Sequence, residues 1–129
     1  MREYIVAFVC VGIGGALGAA ARYSLSLLAQ RLALTFPFGT VASNLAGCFL
    51  IGVLAQVGAG GGLSPSARLL LATGFCGGFT TLSSFVYEAA GLVGTGAYWA
   101  AGVYVVATLG GACLAFLAGL LFIHMLTTL

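Results

Sequence analysis

Gly74-Phe75-Cys76-Gly77-Gly78-Phe79-Thr80-Thr81-Leu82-Ser83-Ser84-Phe85 lies in the middle of the third apolar segment of the chain. A glycine inside a helix costs about 1 kcal/mol relative to alanine, and Gly74, Gly77 and Gly78 fall close together. The hydroxyls of Thr80, Thr81, Ser83 and Ser84 then compete for backbone partners. Together they predict a helix broken near Cys76 to Thr81. In hydrocarbon, irregular backbone persists only where protein buries it or where it lines a watery cavity. Carbonyls freed there suit a cation, and freed N–H groups suit an anion.

The rest of the chain makes hydrocarbon the solvent. Hydrophobic residues are 62% of the sequence and charged residues 5%, against about 25% charged in soluble domains. Mean hydropathy is +1.22. A membrane-spanning helix takes roughly 20 residues, so 129 residues hold four spans in a single domain with no soluble domain beside them. The expected fold class is an all-α membrane protein, residues 1–129, with helices over about 4–30, 38–57, 66–93 and 98–126. Thr35-Phe36-Pro37-Phe38-Gly39 reads as a turn with an interfacial aromatic pair. Residues 58–65 (GAGGGLSP) form a flexible connection, and Gly94-Thr95-Gly96 a short turn. The N-terminus superficially resembles a cleavable signal peptide, but the helical pattern continues through Arg22 to Leu28. Gly14 and Gly18 are four apart, as are Gly74 and Gly78, a spacing that lets helices approach closely in lipid.

The charged residues are Arg2, Arg22, Arg31 and Arg68 with Glu3 and Glu88. Four cations make no basic patch, which argues against nucleic acid. Four spans place Arg2 and Arg68 on one side of the membrane and Arg22 and Arg31 on the other, so the positive-inside rule gives no decision. A chain without this bias can insert both ways, and two inverted copies would form an antiparallel dimer. Cys10, Cys48, Cys76 and Cys113 lie in apolar segments without metal-ligand spacing and read as small packing residues. No nucleophile–base pair, ligand set or phosphate loop points to an enzyme.

Polar side chains within the spans carry the functional signal. Thr40, Asn44 and Gly47 share one face of the second helix. Either an interhelical hydrogen bond, worth roughly 0.6 kcal/mol, or an amide lining a pore accounts for Asn44. After the break, Thr81, Ser84, Phe85 and Glu88 fall on one side of a helix. Tyr104 and Thr108 are four apart in the last one. Amide and hydroxyl donors, with the positive edges of aromatic rings, replace the water of a small anion without trapping it as a full positive charge can. Arg22 suits either snorkelling to the interface or an anion-attracting vestibule. Glu88 reads as a paired carboxylate or as a proton-linked transport group, with no choice between them.

Three blocks in register resemble the Fluc (CrcB) fluoride channels: Gly14-Gly15-Ala16-Leu17-Gly18-Ala19-Ala20-Ala21-Arg22-Tyr23; Pro37-Phe38-Gly39-Thr40 followed by Asn44, Gly47, Phe49 and Gly52; and the opening stretch from Gly74 to Phe85. The resemblance covers essentially the whole chain. It implies passive fluoride export across the cell inner (plasma) membrane, conferring fluoride resistance, by an antiparallel dual-topology homodimer with two pores. It implies a structural sodium ion at the centre, held by the backbone carbonyls of Gly77 and Thr80. For the pore it implies Asn44, Phe85, Thr81, Ser84, Tyr104 and Thr108, with Arg22 at the vestibule. The chain departs from the family at Leu82, where a phenylalanine is usual. The rival architecture is a small multidrug transporter, a proton-coupled exporter of similar size. Such transporters need a membrane-embedded glutamate in the first helix, and here only Glu3 is present, at its very start. A subunit that only packs other helices is a second rival, against which the polar stripe and the hydroxyl-rich break argue.

Overall fold

The computed structural model describes residues 1–32 and 35–128. Every regular element among them is helical: α1 (Arg2–Arg31), α2 (Phe38–Ala59), α3 (residues 65–79), α4 (Leu82–Gly94) and α5 (Tyr98–Thr127). Four stretches are long and apolar enough to cross a membrane: α1, α2, α5 and the run Pro65–Gly94 that contains α3 and α4. The short connections follow local chemistry. Ser64 caps α3, its Oγ accepting the Ala67 N–H at 3.2 Å, with Pro65 in the first turn, where a missing N–H costs nothing. Gly61 (φ 75°) and Gly96 (φ 78°) turn the chain after α2 and before α5, in a backbone region that glycine adopts without penalty.

The helix before the interruption is itself unusual. Pro65–Arg68 is α-helical, Leu69–Cys76 takes the wider π-helical form, and Gly77–Phe79 returns to α. Thr80 (φ −84°, ψ 156°) and Thr81 (φ −151°, ψ 123°) are extended, and helix resumes at Leu82. The extended backbone is confined to Thr80 and Thr81, within the glycine- and hydroxyl-rich stretch. The π turns lie just before it, in an apolar run without a sequence signal for them.

Two helix pairs form the bundle, and glycine sets both. At Gly18 a Cβ would strike the Phe75 carbonyl and lie 2.8 Å from the Phe79 nitrogen; at Gly74 it would lie 2.8 Å from the Val11 carbonyl. These contacts bring α1 and α3 together backbone against backbone. The second pair is α2 with α5: a Cβ at Gly52 would strike the Phe116 carbonyl, and one at Gly119 would strike that of Phe49. Both pairs run parallel, since Gly14 and Gly18 meet successive turns of α3, while Leu45 lies beside Gly111 and Gly52 beside Leu120. Lipid tails are as apolar as leucine, so close packing of this kind, rather than hydrophobic burial, drives association. The outward faces are correspondingly apolar, with Phe8, Leu114 and Leu121 exposed. Tyr98 and Trp99 are exposed at the start of α5, as expected of aromatics at a membrane–water interface.

Candidate functional site

The face of α2 carrying Thr40, Asn44 and Gly47 is buried and points at the chain around Thr80 and Thr81. A Cβ at Gly47 would strike the Thr80 side-chain methyl, so this glycine makes room for the extended segment. Asn44 grips that segment at two points: its Nδ2 donates to the Thr81 carbonyl at 3.1 Å, and its Oδ1 accepts the Thr81 N–H at 2.7 Å. An asparagine carries two N–H donors, so one remains. Thr81 stands outside the helical stripe expected of it. It is the N-cap of α4, its Oγ1 accepting the Ser84 N–H and donating to Ser84 Oγ, each at 3.2 Å.

The carbonyls ahead of the interruption divide into satisfied and open ones. That of Cys76 accepts both the N–H and the hydroxyl of Thr80, each at 3.0 Å. That of Gly78 accepts Arg22 Nε at 3.2 Å, which ties α1 to the end of α3. Helical continuation would have given the Thr81 N–H to the Gly77 carbonyl, but Asn44 holds that N–H instead. The carbonyls of Gly77 and Thr80 have no hydrogen-bond donor among the described residues, and the space over Gly77 is open. Two uncommitted carbonyl oxygens without a carboxylate suit a hard monovalent cation. No cluster of His, Cys, Asp or Glu that could hold a metal occurs among the described residues.

Beside the extended segment lies a cleft of about 190 Å³, lined by Asn44, Thr80, Thr81, Leu82, Phe85 and Thr108, with Cys48, Leu109 and Ala112 on its walls. Four residues proposed from sequence (Asn44, Thr81, Phe85 and Thr108) therefore meet around one space, although they come from three helices and a cap. Thr108 is 3% exposed, and its Oγ1 is buried with no partner among the described residues. A buried hydroxyl left unpaired costs about 1–3 kcal/mol, and this oxygen is closed off from the cleft that the residue helps to line. Leu82 also lines it and is 70% exposed. Ser84 and Tyr104 do not line it.

Tyr104 belongs to a second cluster. It is fully buried, and its hydroxyl donates to Glu88 Oε2. Thr40 Oγ1 donates to Glu88 Oε1 at 2.9 Å. Glu88 is therefore a carboxylate anchored by hydroxyls from α2 and α5. The Phe85 ring links the two clusters, 5.1 Å from that of Tyr104 between centroids. A cavity of about 110 Å³, reaching Ser26 and Gln30 of α1, opens on the Thr40–Glu88 side. From sequence Thr40 is only a face-mate of Asn44; its role in holding Glu88 appears only when α2 and α4 are seen together.

A family profile described as CrcB-like protein, Camphor Resistance (CrcB), matches residues 9–120. The chain is 46% identical over 121 residues (93% of this chain, 94% of the relative) to a protein of Chlorobium phaeobacteroides. It is 45% identical over 112 residues (86% and 88%) to one of Prosthecochloris aestuarii. It is 49% identical over 107 residues (81% and 85%) to one of Chlorobaculum tepidum. Each of these relatives bears the name fluoride-specific ion channel FluC.

Proposed function

Because this chain belongs to the CrcB family, we infer that it is a subunit of a fluoride-selective ion channel, a multi-pass membrane protein and not an enzyme. The observation that carries the reading is the 46% identity to a fluoride-specific channel over 93% of the chain. The site supports it physically. The cleft is lined by Asn44, Thr81, Phe85 and Thr108 and by no residue with a full positive charge. Neutral donors bind an anion weakly enough to release it. Hydrogen fluoride enters a cell as a neutral acid and dissociates, trapping the anion; a passive pore in the inner (plasma) membrane lets it leave down its electrochemical gradient. The small-multidrug alternative lacks its required group, since Glu3 is exposed at the very start of α1.

The proposed working unit is an antiparallel, dual-topology homodimer. The balanced arginines support it, and so does the face of α4 bearing Leu82, Val86 and Tyr87, which this chain leaves exposed. We place the interruption at Thr80 and Thr81 at bilayer depth, where a second, inverted copy would bury it. The uncommitted carbonyls of Gly77 and Thr80 would then hold a structural sodium ion. Its bound charge would satisfy oxygens that hydrocarbon cannot. Asn44, Thr81, Phe85 and Thr108 line the proposed path. Ser84 supports the cap, Tyr104 acts through Glu88, and Arg22 fixes the Gly78 carbonyl from the vestibule side. Ion efflux from liposomes carrying the purified protein, comparing fluoride with chloride, tests the function. Rapid fluoride release without chloride release is expected; no fluoride release from folded protein would overturn the reading.

A further inference from the structure

The two helix pairs meet at the interruption, where Gly47 makes room for the Thr80 side chain. Towards the end of α2 they part, and a groove of about 330 Å³ opens between them. Ile51, Leu54 and Ala55 of α2 and Ala72 of α3 line it, together with Ala59 and Arg68, where α2 ends and α3 begins. α2 has 22 residues, about 33 Å at 1.5 Å per residue, against a hydrocarbon core of about 30 Å. Ala59 therefore stands at headgroup level, and Ile51 about 12 Å deeper. An apolar trough of that depth suits the upper part of an acyl chain. Arg68 is exposed at its mouth, and the chain supplies no side-chain carboxylate there. Its two glutamates are engaged elsewhere: Glu88 accepts the Thr40 and Tyr104 hydroxyls, and Glu3 lines a separate cavity with Arg2. In that cavity the two charges cancel; in the groove the guanidinium charge is uncompensated. A guanidinium pairs with a phosphate through two parallel N–H···O bonds, and basic pockets between membrane helices bind anionic headgroups.

We propose that the groove between α2 and α3 is a binding site for an anionic phospholipid, its phosphate held by Arg68 and one acyl chain lying along Ile51, Ala55 and Ala72. Snorkelling into water would satisfy the arginine alone. The apolar trough beside it selects a phosphate that carries its own hydrocarbon. The bound lipid fills the space between the two helix pairs at the end of α3 away from the interruption, and so ties them together there. The lipid site does not depend on what the protein conducts.

The test titrates the full-length protein in detergent with phosphatidylglycerol and with phosphatidylcholine of the same acyl chains, counting bound lipid by native mass spectrometry. A phosphatidylglycerol with a photoreactive acyl chain locates the site after digestion. Phosphatidylglycerol is expected to bind about fivefold more tightly than phosphatidylcholine, with label within residues 51–72. Arg68→Gln is expected to lose the preference and Arg2→Gln, at the same end of the bundle, to keep it. Ala55→Leu retains the arginine and narrows the trough; it is expected to lower binding of both lipids and to displace the label, which keeps the test decisive if Arg68→Gln fails to fold. Inorganic phosphate is expected not to displace the lipid; displacement by it would reveal an anion site indifferent to the chain and overturn the proposal. Equal affinity for the two lipids, a preference that survives Arg68→Gln, or an equal loss in Arg2→Gln, as diffuse attraction would give, would each overturn it as well. So would label confined to other residues, or label in the monomer that vanishes in the dimer, as a second copy seated over the groove would cause.

Discussion

Replacing Asn44 with alanine removes both bonds that hold the extended segment, the 3.1 Å bond to the Thr81 carbonyl and the 2.7 Å bond from the Thr81 N–H. Asn44 is 8% exposed, so water does not readily replace it. In a soluble core, each stranded backbone group would cost about 1–3 kcal/mol. In membranes the unfolded reference also finds partners, and measured side-chain bonds between helices average roughly 0.6 kcal/mol with a maximum near 1.7. Two bonds then give about 1–3 kcal/mol. The upper half of that range is expected, because Thr81 is extended and reaches the free Gly77 carbonyl only by turning helical. Unfolding equilibria in mixed detergent micelles measure this directly. We expect Asn44→Ala to lose about 2–3 kcal/mol and most of its fluoride flux, since the same amide faces the cleft. An unfolding free energy within about 0.5 kcal/mol of the unsubstituted protein would refute the clamp and leave Asn44 only its place in the ion path.

Three further outcomes follow from the packing and the second cluster. Gly52→Ala drives a Cβ into the Phe116 carbonyl; the overpacking cost of about 1–3 kcal/mol exceeds the roughly 1 kcal/mol of helix propensity gained, so thermal stability in detergent falls, while Gly110→Ala, with open space around it, keeps or raises it. Glu88→Gln and Tyr104→Phe are expected to be non-additive, with a coupling energy of about 0.5–3 kcal/mol in a double-mutant cycle; additive losses would show that the bond between them contributes nothing. Leu82→Phe places a ring in the cleft wall, and fluoride flux is expected to change while selectivity over chloride persists; an unchanged flux would count against any role for this position.

The four spans were legible because hydrocarbon leaves little choice: long apolar runs separated by glycine- and proline-containing turns have no soluble alternative. Glycine packing was legible where the residues repeat at four, as Gly14 with Gly18 and Gly74 with Gly78. It was not legible at Gly52 and Gly119, each without a glycine four residues away, although both permit contacts as close. The shared face of Thr40, Asn44 and Gly47 followed from helical period alone. What Asn44 binds did not, because its partner is the backbone of Thr81, 37 residues away, and a backbone group leaves no mark in the sequence. Thr81 shows the opposite failure. Counting it with Ser84, Phe85 and Glu88 presupposed that helix had already resumed at Thr81, but an N-cap stands outside the period it begins.

Polarity within a span is therefore a poor guide to which residue meets the ion, and uncommitted bonding capacity is a better one. Ser84 and Thr81 bond each other, Arg22 holds the Gly78 carbonyl, and Thr40 and Tyr104 hold Glu88. These groups fix the frame; Thr81, Thr40 and Tyr104 must each break a bond before donating to an anion, whereas Ser84 Oγ only accepts from Thr81 and keeps its own proton free. Thr108 Oγ1 and the second N–H of Asn44 have none to break, and both residues line the cleft. From sequence Asn44, Thr81, Ser84, Tyr104 and Thr108 are all pore candidates, since a hydroxyl reads the same whether or not it is taken. The proposed path is thus best defined by Asn44, with Phe85 between the cleft and Tyr104. Tyr104 contributes indirectly, by holding the Glu88 carboxylate in place outside the cleft lining.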